Sequence, residues 1–129
     1  MSNGNPTDRR YTKDHEWVWE TGDGVVTMGI TDHAQKLLTD IVYVELPETG
    51  KVVKAMDPIA VVESVKSVSD VFAPVSGKIV EINRELETNP GLVNQDAFGR
   101  GWIARLKMSD PSEWGILLDA AAYEALITE

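Results

Sequence analysis

A chain of 129 residues, 43% of them hydrophobic, has the material for one compact domain around one core. Its formal charge of −9 argues against nucleic acid and anionic membrane surfaces as partners and favours proteins with basic patches. With no cysteine, the chain can form no disulfide, thiolate nucleophile or thiolate metal site, so any sulfur chemistry must arrive with a cofactor.

The opening MSNGNPTDRR lacks the apolar stretch of a secretory signal, and no run is long enough to span a bilayer. A cytoplasmic location is expected. From Tyr11 onward, HEWVWE and VVTMGI read as short strands joined at TGDG, whose glycines suit a hairpin turn. Gly22 and Gly24 do not make a phosphate loop, since a third glycine and a following helix are missing.

TDHAQKLLTD predicts one short helix, with Asp32 and Gln35 in capping-box spacing and Ala34, Leu37 and Leu38 as its apolar stripe. IVYVELPETG alternates Val42, Val44 and Leu46 against Tyr43 and Glu45 before Pro47 and Gly50 end it, as in a strand entering a turn. KVVKAMDP and PIAVVES read as further strands. The next stretch is ambiguous by period: Val62, Val65, Val68 and Val71 recur every third residue, as on a helix face. Its Val and Ser content, between Pro58 and Pro74, favours two strands with a tight turn near Lys66.

SGKIVEIN and GWIARLKMS continue the β pattern, the latter with Trp102, Ala104, Leu106 and Met108 on one side. The segment between them, RELETNPGLVNQDAFGRG, reads as surface loop with a helical turn at most. Asp110, Pro111 and Glu113 predict a capped helix start, and LLDAAAYEALITE predicts a terminal helix with Asp119 as its cap. Many short strands with few helices imply a mainly β fold: a flattened β-barrel or sandwich of two antiparallel sheets, with a short internal helix and C-terminal helices.

Lys66 is the only basic residue between Ala55 and Gly77. A lysine in a polar turn is ordinarily a solvated charge. A hairpin tip, however, presents its amine to modifying enzymes, and acylation would remove the charge and lengthen the stem. A Schiff-base lysine would need a buried pocket that this turn does not suggest. His15 and His33 lie far apart in sequence without a zincin pattern, so capping or surface roles are expected and no metal site. No serine sits in a G-x-S-x-G context. Glu16 and Asp70 are candidates for acid–base work, but nothing local shows that they meet. Trp17 and Trp19 share one strand face, serving either core packing or a partner patch.

Read together, YTKDHEWV, GITDHAQ, DIVYVELPE, ESVKSVSDVFAPVSG, NPGLVN, GWIARLKMSD and YEALI resemble, in order, the H-protein family of the glycine cleavage system. The resemblance implies a lipoyl carrier that is not itself an enzyme: a flattened barrel of two sheets with lipoic acid amide-linked to Lys66 at a hairpin tip. It implies Glu63 as a residue read by the lipoylating enzymes, and Glu16 and Asp70 as acids of a pocket that shelters the loaded arm and its amine. The implied partners are a pyridoxal-phosphate-dependent glycine decarboxylase, an aminomethyltransferase and dihydrolipoyl dehydrogenase, visited by a monomeric shuttle carrying an aminomethyl group.

Residues 1–10 lie outside the resemblance and are expected to form a flexible tail, with residues 11–129 as the single carrier domain. Phe72 stands where the family often has tyrosine, so this chain offers no hydroxyl contact there. Methionines do not flank Lys66 as in biotin carriers. The acid immediately before the lysine and the Ala/Pro-rich linkers of 2-oxo acid dehydrogenase lipoyl domains are also missing. The alternatives are a relay passing lipoyl groups to those dehydrogenases, an enzyme using Glu16 or Asp70 directly and, less favoured for want of the flanking methionines, a biotinyl carrier domain.

Overall fold

The computed structural model describes residues 5–128, including every side chain among them except that of Thr21. Among the described residues, nine strands form two antiparallel sheets: β1 (Arg10–Tyr11), β2 (Glu16–Gly22), β3 (Val25–Ile30), β4 (Ile41–Glu45), β5 (Val52–Val53), β6 (Pro58–Ser64), β7 (Val68–Phe72), β8 (Gly77–Ile82) and β9 (Ala104–Met108). One sheet has six strands in the order β1-β2-β3-β9-β8-β5; the other has three, β4-β6-β7. The result is an open two-sheet sandwich, not a closed barrel.

The two-residue period expected of half-buried strands is what binds the sheets. Ala60, Val62 and Ser64 of β6 are buried between more exposed neighbours, as are Ala104, Leu106 and Met108 of β9. All of these but Ser64, which is buried as a polar residue, join Val18, Val26, Met28, Val44, Val71 and Ile79 in one core shared by both sheets. Trp102 precedes β9 and packs instead with a second cluster of Tyr11, Trp17, Ala120 and Tyr123.

Trp17 and Trp19 differ in burial. Trp17 is buried, its indole N–H donating to the Ala97 carbonyl at 2.9 Å, whereas Trp19 stays 39% exposed. Gly29, paired with Trp17 across β2 and β3, leaves room for the indole; a Cβ there would stand 2.9 Å from the ring. The TGDG turn carries positive φ at Gly22, Asp23 and Gly24, as a tight hairpin requires.

Helix α1 spans Asp32–Leu38, but its cap is Thr31, whose hydroxyl accepts the Ala34 N–H at 3.2 Å. Gln35 donates to the Asp32 carboxylate at 2.8 Å and closes no capping box, so the expected cap was one residue late. The loop between β8 and β9 holds two single turns, α2 (Glu85–Thr88) and α3 (Leu92–Gln95), where one at most was expected. KVVKAMDP pairs over only two residues.

After β9, Pro111–Ile116 is a 3₁₀ helix capped by Asp110. Glu113 does not close a capping box. It accepts instead from the Ser76 N–H at 2.7 Å and the Ser76 hydroxyl at 2.9 Å. The last helix, α4 (Ala120–Ile127), has the expected Asp119 cap, which accepts the Ala122 N–H at 2.8 Å.

The tail expected over residues 1–10 differs from the structure at residues 5–10; residues 1–4 lie outside the described residues. Arg10 pairs with Val18 in β1, and the Arg9 guanidinium lies 4.8 Å from the Trp17 ring centroid and 5.6 Å from that of Phe98. Aromatic faces hold these arginines to the body, a role that a polar, charged segment does not advertise.

Candidate functional site

The β6–β7 hairpin turns through Val65, Lys66 and Ser67, and Ser64 builds that turn from both ends. Its N–H donates to the Ser67 carbonyl at 2.8 Å, and its hydroxyl oxygen accepts the N–H groups of Lys66 at 3.3 Å and Ser67 at 3.1 Å. A serine hydroxyl that satisfies turn amides keeps the backbone tight without covering the tip. Val65 is further tied to the Asp40 carbonyl at 3.0 Å. Lys66 is exposed and has no ion-pair partner among the described residues. Glu63 lies in β6 between Tyr43 and Val68, in a cross-strand row adjoining the tip.

A cleft of about 130 Å³ runs beside this hairpin. One wall is Asp14, His15 and Glu16; a second is the apolar side of α1 with Ala34, Leu37 and Leu38; the third is Val62 of β6 with Ser69, Asp70 and Val71 of β7. Glu16 and Asp70, 54 positions apart in the sequence, thus line one cleft. Glu63 and Lys66 are not among its lining residues.

Glu16 is 1% exposed. Its carboxylate accepts the Thr12 hydroxyl at 2.5 Å and the Phe72 N–H at 3.2 Å. Both bonds favour the charged form, yet burial outweighs them and pushes the carboxyl up to about 7. Because β7 is an edge strand, the N–H of Phe72 that Glu16 accepts points away from β6, and alternation turns the N–H of Asp70 the same way. Asp70 itself is exposed at the cleft mouth.

His15 adopts φ 70°, a left-handed backbone, with its Nδ1 2.8 Å from the Tyr123 hydroxyl and its ring centroid 4.9 Å from that of His33. This overturns the capping or surface role that the sequence predicts for His15. Burial and the neighbouring His33 lower its pKa. Among the described residues, no group of three or more His, Asp or Glu is arranged to hold a metal ion. The polar members of this site that local pattern does not announce are Thr12, His15, Ser69 and Tyr123. Only the i, i+4 spacing of Thr12 and Glu16 offered a sequence signal.

The family model described as Glycine cleavage H-protein matches residues 9–129. A Glycine cleavage system H protein from Laribacter hongkongensis is 54% identical over 119 residues, covering 92% of this chain and 94% of that protein. One from Escherichia coli O7:K1 is 53% identical over 124 residues, 96% of each. The crystal structure of a glycine cleavage system H protein from Mycobacterium marinum superposes with a TM-score of 0.88 at 40% identity, over 97% of this chain and 100% of that one.

Proposed function

The chain belongs to the glycine cleavage H-protein family, a non-catalytic carrier component of that system, and from this premise we propose that Lys66 carries lipoic acid as an amide. In this reading it presents the group in turn to glycine decarboxylase, aminomethyltransferase and dihydrolipoyl dehydrogenase. The single observation that carries the assignment is the placement of Lys66: an exposed amine at the apex of a serine-pinned hairpin. Such a site fits the group, because an acylating enzyme needs the Nζ free of partners and the backbone around it held still. When bound, the lipoyl group supplies a disulfide able to take up an aminomethyl unit and two electrons.

The remaining work is done by the protein's own residues. Four residues of extended chain separate Lys66 from Asp70, at most about 14 Å, a span comparable to an extended lipoyl-lysine side chain, so the cleft lies within reach of what Lys66 bears. Ala34, Leu37, Leu38 and Val71 give that cleft apolar walls that exclude water, while Asp70 and Glu16 offer carboxylates to a cationic amine. Glu16 stands near half-ionisation at neutral pH, so an arriving ammonium favours release of its proton and the pair closes with no net buried charge. Glu63, in the row beside the tip, is a recognition residue for the lipoylating enzymes.

Intact-mass measurement and peptide mapping after expression in a lipoate-competent host test the assignment. One lipoyl increment is expected, confined to Lys66 and lost in Lys66→Arg. An increment mapped to Lys51, Lys54 or Lys78 overturns it, as does glycine oxidation sustained by a folded Lys66→Arg protein with the three partner enzymes.

A further inference from the structure

Helix α4 contributes nothing to the lining of the cleft, yet two of the cleft walls meet at one atom of it. The Tyr123 hydroxyl lies 2.8 Å from Nδ1 of His15 and 2.7 Å from Oγ1 of Thr31. His15 belongs to the acidic wall, and Thr31 is the cap that starts α1, the apolar wall. The same two residues are joined a second time, the Thr31 N–H donating to the His15 carbonyl at 2.9 Å. Tyr123 is fully buried, with its ring stacked on Tyr11 at 4.8 Å and 10°, so the hydroxyl has a fixed position from which to hold them.

The direction of this short chain of hydrogen bonds follows from counting protons. Thr31 Oγ1 already accepts the Ala34 N–H, and Thr31 is fully buried. Its own hydroxyl proton has one acceptor among the described residues, the Tyr123 oxygen. Tyr123 must then donate its proton onward, and His15 Nδ1 is the remaining partner. The opposite direction would strand the Thr31 proton in the interior. Accepting at Nδ1 places the imidazole proton of neutral His15 on Nε2 and fixes the ring plane.

We infer that Tyr123 is a positioning residue for the cleft: its hydroxyl sets the ring and tautomer of His15 and the spacing between the acidic wall and α1, and thereby the closeness with which a loaded arm is sheltered. The inference rests on the cleft being the shelter of the arm, as proposed above.

Tyr123→Phe removes one oxygen and keeps the stacked ring. Tyr11→Phe is the matched control, since the Tyr11 hydroxyl donates to the Pro6 carbonyl away from this cleft. In unlipoylated protein, ¹⁵N spectra of the imidazoles should show His15 as the Nε2–H tautomer in the wild type and in Tyr11→Phe, and as a mixture in Tyr123→Phe. In loaded protein, spontaneous hydrolysis should rise about fivefold in Tyr123→Phe, the range of one neutral hydrogen bond, and stay at the wild-type rate in Tyr11→Phe. An unchanged His15 tautomer in Tyr123→Phe, unchanged hydrolysis, or an equal rise in both variants overturns the inference. A wild type that hydrolyses as fast as a loaded lipoyl-lysine peptide overturns the shelter itself and the inference with it, a failure told apart by the absence of any protection to lose.

Discussion

Glu16 reaches from the start of β2 to accept the main-chain N–H of Phe72, 56 positions away on the free edge of β7, at 3.2 Å. This one bond joins the six-stranded sheet to the three-stranded one beside the cleft, and it ties the carboxyl with the most elevated pKa to the strand that carries Asp70. The elevated pKa and the bond have the same origin, burial of a carboxyl between two sheets.

Stability should register that burial. Glu16 has an ordinary value of 4.5 and is pushed up to about 7 in the folded protein, so between those values the folded state holds a proton that the unfolded state has lost. The contribution of Glu16 is therefore fully present below pH 4.5 and declines as pH rises towards 7, by about 3 kcal/mol at most. Glu16→Gln should remove this slope. Urea unfolding at a series of pH values checks it: the stability difference between wild type and variant should change across that window and level off above it.

Neutralising the two cleft acids should shorten the life of the loaded protein. Asp70→Asn and Glu16→Gln are each expected to speed loss of the bound amine by roughly tenfold, the range of a charge-assisted hydrogen bond. Lipoylation at Lys66 should proceed normally, since neither residue touches the hairpin tip in this structure. Release of formaldehyde and ammonia from loaded protein without partner enzymes measures the effect; rates equal to the wild type would remove both acids from the shelter.

Ser64 is expected to matter to modification more than to folding. Ser64→Ala deletes the acceptor of two turn amides, Lys66 and Ser67, at a cost of about 1 kcal/mol. The loosened tip should lower the rate at which a lipoylating enzyme acylates Lys66 several-fold. Time-resolved mass spectrometry on the purified apo protein reads that rate directly, with thermal unfolding as the companion measurement.

Gly77 supplies a structural test remote from the site. At the start of β8, a Cβ would stand 2.2 Å from the Lys107 carbonyl oxygen, a main-chain atom that cannot rotate away. Gly77→Ala should cost about 3 kcal/mol or more by forcing β8 from β9. Its denaturation midpoint should fall accordingly, while Gly50→Ala meets no atom within 4 Å and suffers only from its positive φ of 94°.

Local chemistry made much of this protein legible before any contact was known. Short β-branched and apolar runs marked the strands, glycines marked the β2–β3 turn, Asp119 marked the start of α4, and the lone lysine among valines and serines marked a hairpin apex. The alternation expected of Val42, Val44 and Leu46 fails in β4, where a register shift between Ile41 and Tyr43 buries Ile41 and Val44 and leaves Val42 exposed. Each of those markers depends on a few neighbouring residues, whose backbone preferences and side-chain period operate wherever the segment ends up. What tertiary structure decided lies between distant segments. Thr31 rather than Asp32 caps α1, Glu113 turns to Ser76, and Arg9 settles on Trp17. His15, 108 positions from Tyr123, meets its hydroxyl. Such pairings follow from strand register and from how two sheets and a helix close over a shared interior, and a side chain selects among several chemically adequate partners only once that packing has brought one of them within 3 Å.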